Sequence, residues 1–259
     1  MKMILVTNDD GVHSDGIHEL ARAVAHLGQV VVVAPNVEAS AIGHALTLRR
    51  PLRVEQRQPN VYEVDGTPTD CVNVAITRLL DAPPDLILSG INKGYNLGDD
   101  VTYSGTVAGA MEGALLGIPS IAVSLERTRG AYDFRAAAAG AAQVAERILA
   151  GSALPARTFL NINVPRGKPK GIRITVQAKR NHITVVDKRT DPRGQDYYWI
   201  EEGQNDWQPH DRSDYQAVRD GFMSVTPLQT DLTDYNALPP MCVPVSMTRS
   251  GRTSWRISW

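Results

Sequence analysis

Five short apolar runs, at 4–6, 30–33, 86–88, 121–123 and 159–162, recur through the first two-thirds of the chain, each bounded by turn residues. Apart from Asn161 their residues are apolar without alternation, which fits strands buried on both faces. Helical stretches separate several of them: 17–26, 69–80, a segment after Ser104, and an alanine-rich segment after Asp133 that ends near Leu149. The pattern predicts an α/β fold built on a doubly wound, mostly parallel sheet. The helix at 69–80 has the clearest start, because Thr67 can cap it, Pro68 suits its first position and Asp70 resembles a capping-box acid. With 259 residues the chain is near the size at which one core stops growing. A catalytic core over 1–165 with an extension over 166–259, partly packed on it within one structural domain, is therefore expected. In the extension the apolar alternation gives way to polar segments. Tyr197, Tyr198, Trp199 and Ile200 resemble one strand of an exposed hairpin, and Trp255 and Trp259 add apolar bulk suited to core packing or a subunit contact.

In open parallel sheets, ligands bind beyond the carboxyl ends of the strands. Here those ends are polar: Asn8-Asp9-Asp10-Gly11 after the first run, Ala34-Pro35-Asn36 leading to Ser40 after the second, and Ser89-Gly90-Ile91-Asn92 after the third. Two carboxylates, a hydroxyl and an amide oxygen thus share one edge. Adjacent carboxylates about 4 Å apart repel by roughly 4 kcal/mol at an effective dielectric near 20 unless a cation or proton intervenes. Taken alone, Asp10-Gly11 reads equally well as a tight turn with Asp9 as its cap; the other strand ends favour the cation. All-oxygen ligands point to Mg2+ or Mn2+, one per chain, held by Asp9, Asp10, Ser40 and Asn92.

The glycine-spaced loop from Ser89 to Gly98, which includes Asn96, can turn backbone N–H groups toward an anion. Ser104, Gly105 and Thr106 open a helix of small residues, which suits phosphate at its N-terminus or simple capping by Ser104. His13 and His44 lie close in sequence to these loops and are candidates for contact with phosphate or the leaving group. Other chemistries lose their usual support, since there is no GxGxxG after the first strand, no GxxxxGK[ST] and no G-x-S-x-G. Charges nearly balance at 27 basic against 28 acidic residues, so neither a nucleic-acid polymer nor an anionic membrane is the expected partner. Cys71 and Cys242 belong to no disulfide framework or CxxC motif, and no signal-peptide pattern opens the chain, so a cytoplasmic location is expected.

These blocks resemble the SurE survival-protein family of metal-dependent 5′/3′-nucleotidases. The resemblance rests on Val6 to Gly11, Val33-Ala34-Pro35 with Ser40, Gly66 to Val72, Ser89 to Asn92 with Asn96, Tyr103 to Val107, Asn161 to Pro165, Val225 to Pro227 and Asp231 to Tyr235. They follow one another along most of the chain. The resemblance implies a Rossmann-like core, an extended C-terminal hairpin and tail used in homodimers or homotetramers, and hydrolysis of nucleoside 5′- and 3′-monophosphates. It also implies trimming of short polyphosphate in some members. Matched motif by motif, the family's metal ligands fall on Asp9, Asp10, Ser40 and Asn92, with Asp9, Asp10 and Asn92 catalytic. Asn96, Ser104, Gly105 and Thr106 are the expected phosphate and substrate contacts, and Asn8 and His44 further members of the site. After Ser40 the chain reads Ala41-Ile42-Gly43-His44 instead of the common Ser-Gly form, which bears on loop shape and substrate preference. Direct attack by water is the expected mechanism, with an aspartyl-phosphate on Asp9 or Asp10 as the enzymatic alternative. A non-catalytic nucleotide sensor using the same contacts is the non-enzymatic one.

Overall fold

The computed structural model describes residues 1–181, 184–202, 206–237, 242–247 and 253–257. In chain order the elements are β1 (Met3–Thr7), α1 (Asp15–Val24), β2 (Gln29–Pro35), β3 (Val54–Gln58), β4 (Val61–Val64), α2 (Pro68–Val74), β5 (Leu86–Lys93), α3 (Gly105–Leu115), β6 (Ser120–Leu125), α4 (Arg135–Leu149) and β7 (Thr158–Val164). The extension adds β8 (Ile172–Ile174), β9 (Arg180–Asn181), β10 (Thr184–Thr190), β11 (Asp196–Glu202), β12 (Asp206–Trp207), α5 (Asp214–Arg219), β13 (Met223–Gln229), β14 (Cys242–Met247) and β15 (Thr253–Ile257). All five apolar runs are strands of one sheet, ordered β3-β4-β2-β1-β5-β6-β7-β13-β8. β1 pairs in parallel with both β2 and β5, so the chain winds outward on one side of β1 and then on the other. The crevice where the direction reverses, between β1 and β5, is where such sheets bind ligands.

Alternate residues of each strand enter opposite layers. Ile4 and Val6 of β1, with Leu86 and Leu88 of β5, pack under α1 and α4 beside Ile17, Leu20, Ala141 and Ala145. Leu5 and Ile87 face the other way, onto Cys71, Val72 and Ala75 of α2 and the turn after it. α3 covers the next strands through Val107, Ala110 and Ala114 against Ala122 and Phe159. α2 starts as its sequence dictates. Thr67 accepts from the Asp70 amide at 3.1 Å and Asp70 accepts from the Thr67 amide at 2.9 Å, a complete capping box. Cys71 is a buried free thiol.

The sheet continues past residue 165. β13 pairs antiparallel with β7, and β8 pairs parallel with β13. The expected hairpin is present as β10 and β11, with Val186 opposite Ile200 and Lys188 opposite Tyr198. Trp255 lies in β15, while Trp259 lies outside the described residues. Among the described residues no helix is long and apolar enough to cross a membrane.

Candidate metal and phosphate site

The turn leaving β1 carries the two carboxylates to the switch crevice. Asn8 is fully buried and its Nδ2 donates to the Gly11 carbonyl at 2.9 Å, which fixes the turn. Asp9 is buried and accepts a hydrogen bond from the Thr106 hydroxyl. Gly105 is what lets α3 approach this closely, because a Cβ there would meet the Asp9 Cβ at 2.8 Å and its Oδ2 at 3.0 Å. Burial pushes the Asp9 carboxyl up from 3.8 to about 6; the Thr106 hydroxyl opposes the rise and the neighbouring Asp10 adds to it. Burial also raises Asp10, against the pull of Lys93 and with a further push from Glu38.

The remaining proposed ligands come from the ends of the neighbouring strands. The loop after β2 is tied to the site by the Ala39 amide, which donates to the Asp9 carbonyl at 2.8 Å, and by the Gly43 amide, which donates to Tyr103 O at 3.0 Å. This puts Ser40 at the exposed mouth, where its hydroxyl donates to Glu38 Oε1 at 2.6 Å. Asn92 lies near the end of β5, beyond a bulge, and its Nδ2 donates to the Gly94 carbonyl at 3.0 Å, which leaves the amide oxygen for a ligand.

The donor set fits a hard divalent cation. Asp10 Oδ2 is buried with no hydrogen-bond partner, an orphaned anionic oxygen beside a second buried carboxylate. Leaving such an oxygen unpaired costs free energy that a cation recovers. Among the described residues no cluster of three or more His, Cys, Asp or Glu could hold a metal, so the fit rests on two carboxylates completed by hydroxyl and amide oxygens.

The expected phosphate contacts divide. Ser104 is the N-cap of α3, accepting from the Val107 amide at 3.1 Å, and Gly105 lies at the helix start facing Asp9. The Thr106 hydroxyl is given to Asp9 instead of being left for an anion. Asn96 is buried in an amide lattice. Its N–H donates to Asn163 Oδ1 at 2.8 Å and its Nδ2 to Ser124 Oγ at 2.7 Å, while its carbonyl accepts from Asn161 and Asn163 at 2.8 and 3.1 Å. The lattice shapes the 94–98 loop. A parallel polar seam crosses β13, where Thr175 bonds Ser224 and Thr226 at 2.8 and 2.7 Å. His44 Nε2 lies 2.6 Å from Glu112 Oε2, while Glu112 Oε1 accepts from Asn73 Nδ2 at 2.7 Å, so His44 anchors its loop onto α3. Burial works against the Glu112 charge, but the bonds from His44 and Asn73 hold the carboxyl below its ordinary range. His13 is exposed and lies 3.9 Å from Glu63, outside the carboxylate pair.

A family model described as Survival protein SurE matches residues 4–184. The chain belongs to the SurE family. Among curated SurE relatives, a protein named 5′-nucleotidase SurE from Syntrophotalea carbinolica is 52% identical over 236 residues, covering 91% of this chain and 94% of its own. One of the same name from Geotalea daltonii is 53% identical over 239 residues, covering 91% and 96%. The crystal structure of the SurE protein from Aquifex aeolicus superposes with a TM-score of 0.83 at 44% identity, over 92% of this chain and 98% of that one.

Sequence reasoning missed Lys93 and Glu38, the charges that bear on Asp10, and Asn161 and Asn163, which build the 96 lattice. The asparagines had a signal. Two amides at i and i+2 in an otherwise apolar buried strand share one face and need polar partners there.

Proposed function

We propose that this SurE-family chain is a divalent-metal-dependent phosphatase that hydrolyses nucleoside 5′- and 3′-monophosphates, with Asp9 and Asp10 at the centre of its metal site. The observation that carries the reading is the carboxylate pair at the sheet's switch point, with Asp9 buried under the start of α3 and Asp10 Oδ2 buried and unpartnered. The names of the curated relatives, each a 5′-nucleotidase over nearly its whole length, supply the substrate class.

Asp9, Asp10, Ser40 and Asn92 would hold one Mg2+ or Mn2+ ion. When bound, the ion supplies Lewis-acid polarisation of the phosphate and a more acidic water. The chain's own groups do the rest. Asp9 and Asp10 bring negative charge to the cation, and Thr106 fixes the Asp9 carboxylate through its hydroxyl. Ser104 takes the Val107 amide, which leaves the Gly105 amide and the positive end of α3 to face an oxygen of the phosphate. The Asn96 lattice holds the 94–98 loop that borders the same mouth.

The chain self-associates through the β10–β11 hairpin as a homodimer or homotetramer. On one face of the hairpin Ile200 is 79%, Tyr198 60% and Val186, opposite Ile200, 54% exposed in the single chain, and Trp199 is exposed on the other face, apolar surface that a subunit contact would cover. A cytoplasmic location suits the reduced, buried Cys71. The direct test is inorganic phosphate release from AMP, GMP and their 3′ isomers with and without Mn2+. Release that requires the cation is expected, and no release from any of the four under either condition would refute the proposal.

A further inference from the structure

The residues described so far address the phosphate and the cation; the rest of a substrate must meet the rim of the mouth, and that rim carries apolar side chains beside Ser40 and Glu38. Ile42 lies against the start of α3, its Cγ2 3.2 Å from where a Cβ on Gly105 would stand, yet it is 41% exposed. Tyr103 immediately precedes the Ser104 cap and is 61% exposed. The Gly43 amide joins the two segments by donating to the Tyr103 carbonyl at 3.0 Å. Val37, on the Ser40 side, is 65% exposed. Exposed Tyr103, Ile42 and Val37 thus stand on the two segments that border a mouth whose floor is two carboxylates and a helix N-terminus. Single exposed apolar residues need no explanation, but several bordering one polar site mark a ligand with an apolar face.

We propose that Tyr103, with Ile42 beside it, is the platform for the base of the nucleoside monophosphate, so that the site selects phosphate esters by the base they carry. The inference rests on the nucleotidase reading and deepens it. Stacking on an aromatic side chain accepts every base, because each presents a π-face, so the platform favours nucleotides over base-free phosphate esters while discriminating weakly among bases. Ile42 adds apolar area without a hydrogen-bond pattern that would read the base edge.

The experiment compares AMP with ribose 5-phosphate, the same ester without its base, for the parent, Tyr103→Ala and Tyr103→Phe in Mn2+, alongside the Mn2+-induced thermal shift of each protein without substrate. The parent is expected to prefer AMP. Tyr103→Ala should lower the ratio of the two kcat/KM values about ten-fold, through KM for AMP, while Tyr103→Phe keeps the ratio and all three proteins keep the thermal shift. An unchanged ratio in Tyr103→Ala, or an equal loss on both substrates, would overturn the platform while leaving the nucleotidase reading standing. A parent that releases phosphate from ribose 5-phosphate but not from AMP would overturn it too. Release from neither substrate would overturn the nucleotidase reading itself and this inference with it.

Discussion

At the carboxyl edge of β1, Asp9 is buried beside another carboxylate and takes one side-chain hydrogen bond, from Thr106. At the start of α5, Asp214 is completely buried and accepts from three backbone amides, those of Gly98 at 3.0 Å, Ala178 at 2.9 Å and Tyr215 at 2.8 Å. Burial raises both carboxyls; around Asp214 the three amides oppose the rise, whereas at Asp9 a second negative charge adds to it. The Asp214 arrangement is complete without any added group and fastens the 94–98 loop to the extension. Gly98 permits the approach, since its φ is +50° and a Cβ there would meet the Ala178 carbonyl at 2.5 Å. The Asp9–Asp10 pair has only the pull of Lys93 on Asp10 to set against two negative charges, and Asp10 Oδ2 keeps no hydrogen-bond partner. A buried charge that the chain satisfies builds structure, and one that it leaves unsatisfied marks a place for a ligand.

The contrast predicts opposite effects for the same chemical change. In the metal-free protein the Asp9 carboxyl is higher in the folded state, so its proton-linked stability is present below pH 3.8 and is lost as pH rises through about 6. Asp9→Asn removes that loss, and Thr106 can turn its hydroxyl to accept from the new amide. Denaturant unfolding in chelator at pH 8 should therefore find Asp9→Asn more stable than the parent by up to about 3 kcal/mol, the gap closing below about pH 4. Asp214→Asn should instead lose about 2 kcal/mol, because an amide nitrogen would face a backbone N–H. If both variants shift stability in the same direction, the contrast fails.

Next in size is Thr106→Val, which removes the only side-chain hydrogen bond to Asp9 recorded in the described chain while keeping the shape. Calorimetry should show Mn2+ affinity falling about ten-fold, the scale for groups that orient a ligand. An effect on turnover with no change in Mn2+ affinity would place the hydroxyl on the phosphate instead. The smallest effect on stability belongs to the hairpin. Tyr198→Ser with Ile200→Ser should leave unfolding within about 0.5 kcal/mol at low protein concentration yet lower the sedimenting mass. An unchanged mass would remove the hairpin from the interface.

Much of this was legible in the residues. β1, β2, β5, β6 and β7 showed themselves through largely apolar runs of the kind that strands buried on both faces carry, and Thr67 to Asp70 announced α2 through their own hydrogen bonds. β3 was hidden because all five of its residues are exposed and it pairs at the sheet edge. β8, three residues long and half exposed, left too little pattern to read. The polar strand ends brought Asp9, Asp10, Ser40 and Asn92 forward as candidate ligands by position alone. Which group touches which could not be read the same way, since Thr106 with Asp9 and His44 with Glu112 pair residues 97 and 68 positions apart through helix packing.

The central claim is that Asp9 and Asp10 hold the cation on which turnover depends. Calorimetric titration of Mn2+ into the parent, Asp9→Asn and Asp10→Asn, with phosphate release from AMP measured on the same samples, tests it most directly. Each variant keeps its side-chain shape and loses one ligand charge. The account predicts one Mn2+ per chain in the parent, affinity lower by on the order of 100-fold or more in each variant, and phosphate release lost with it. Parental Mn2+ affinity and parental turnover in both variants would contradict it.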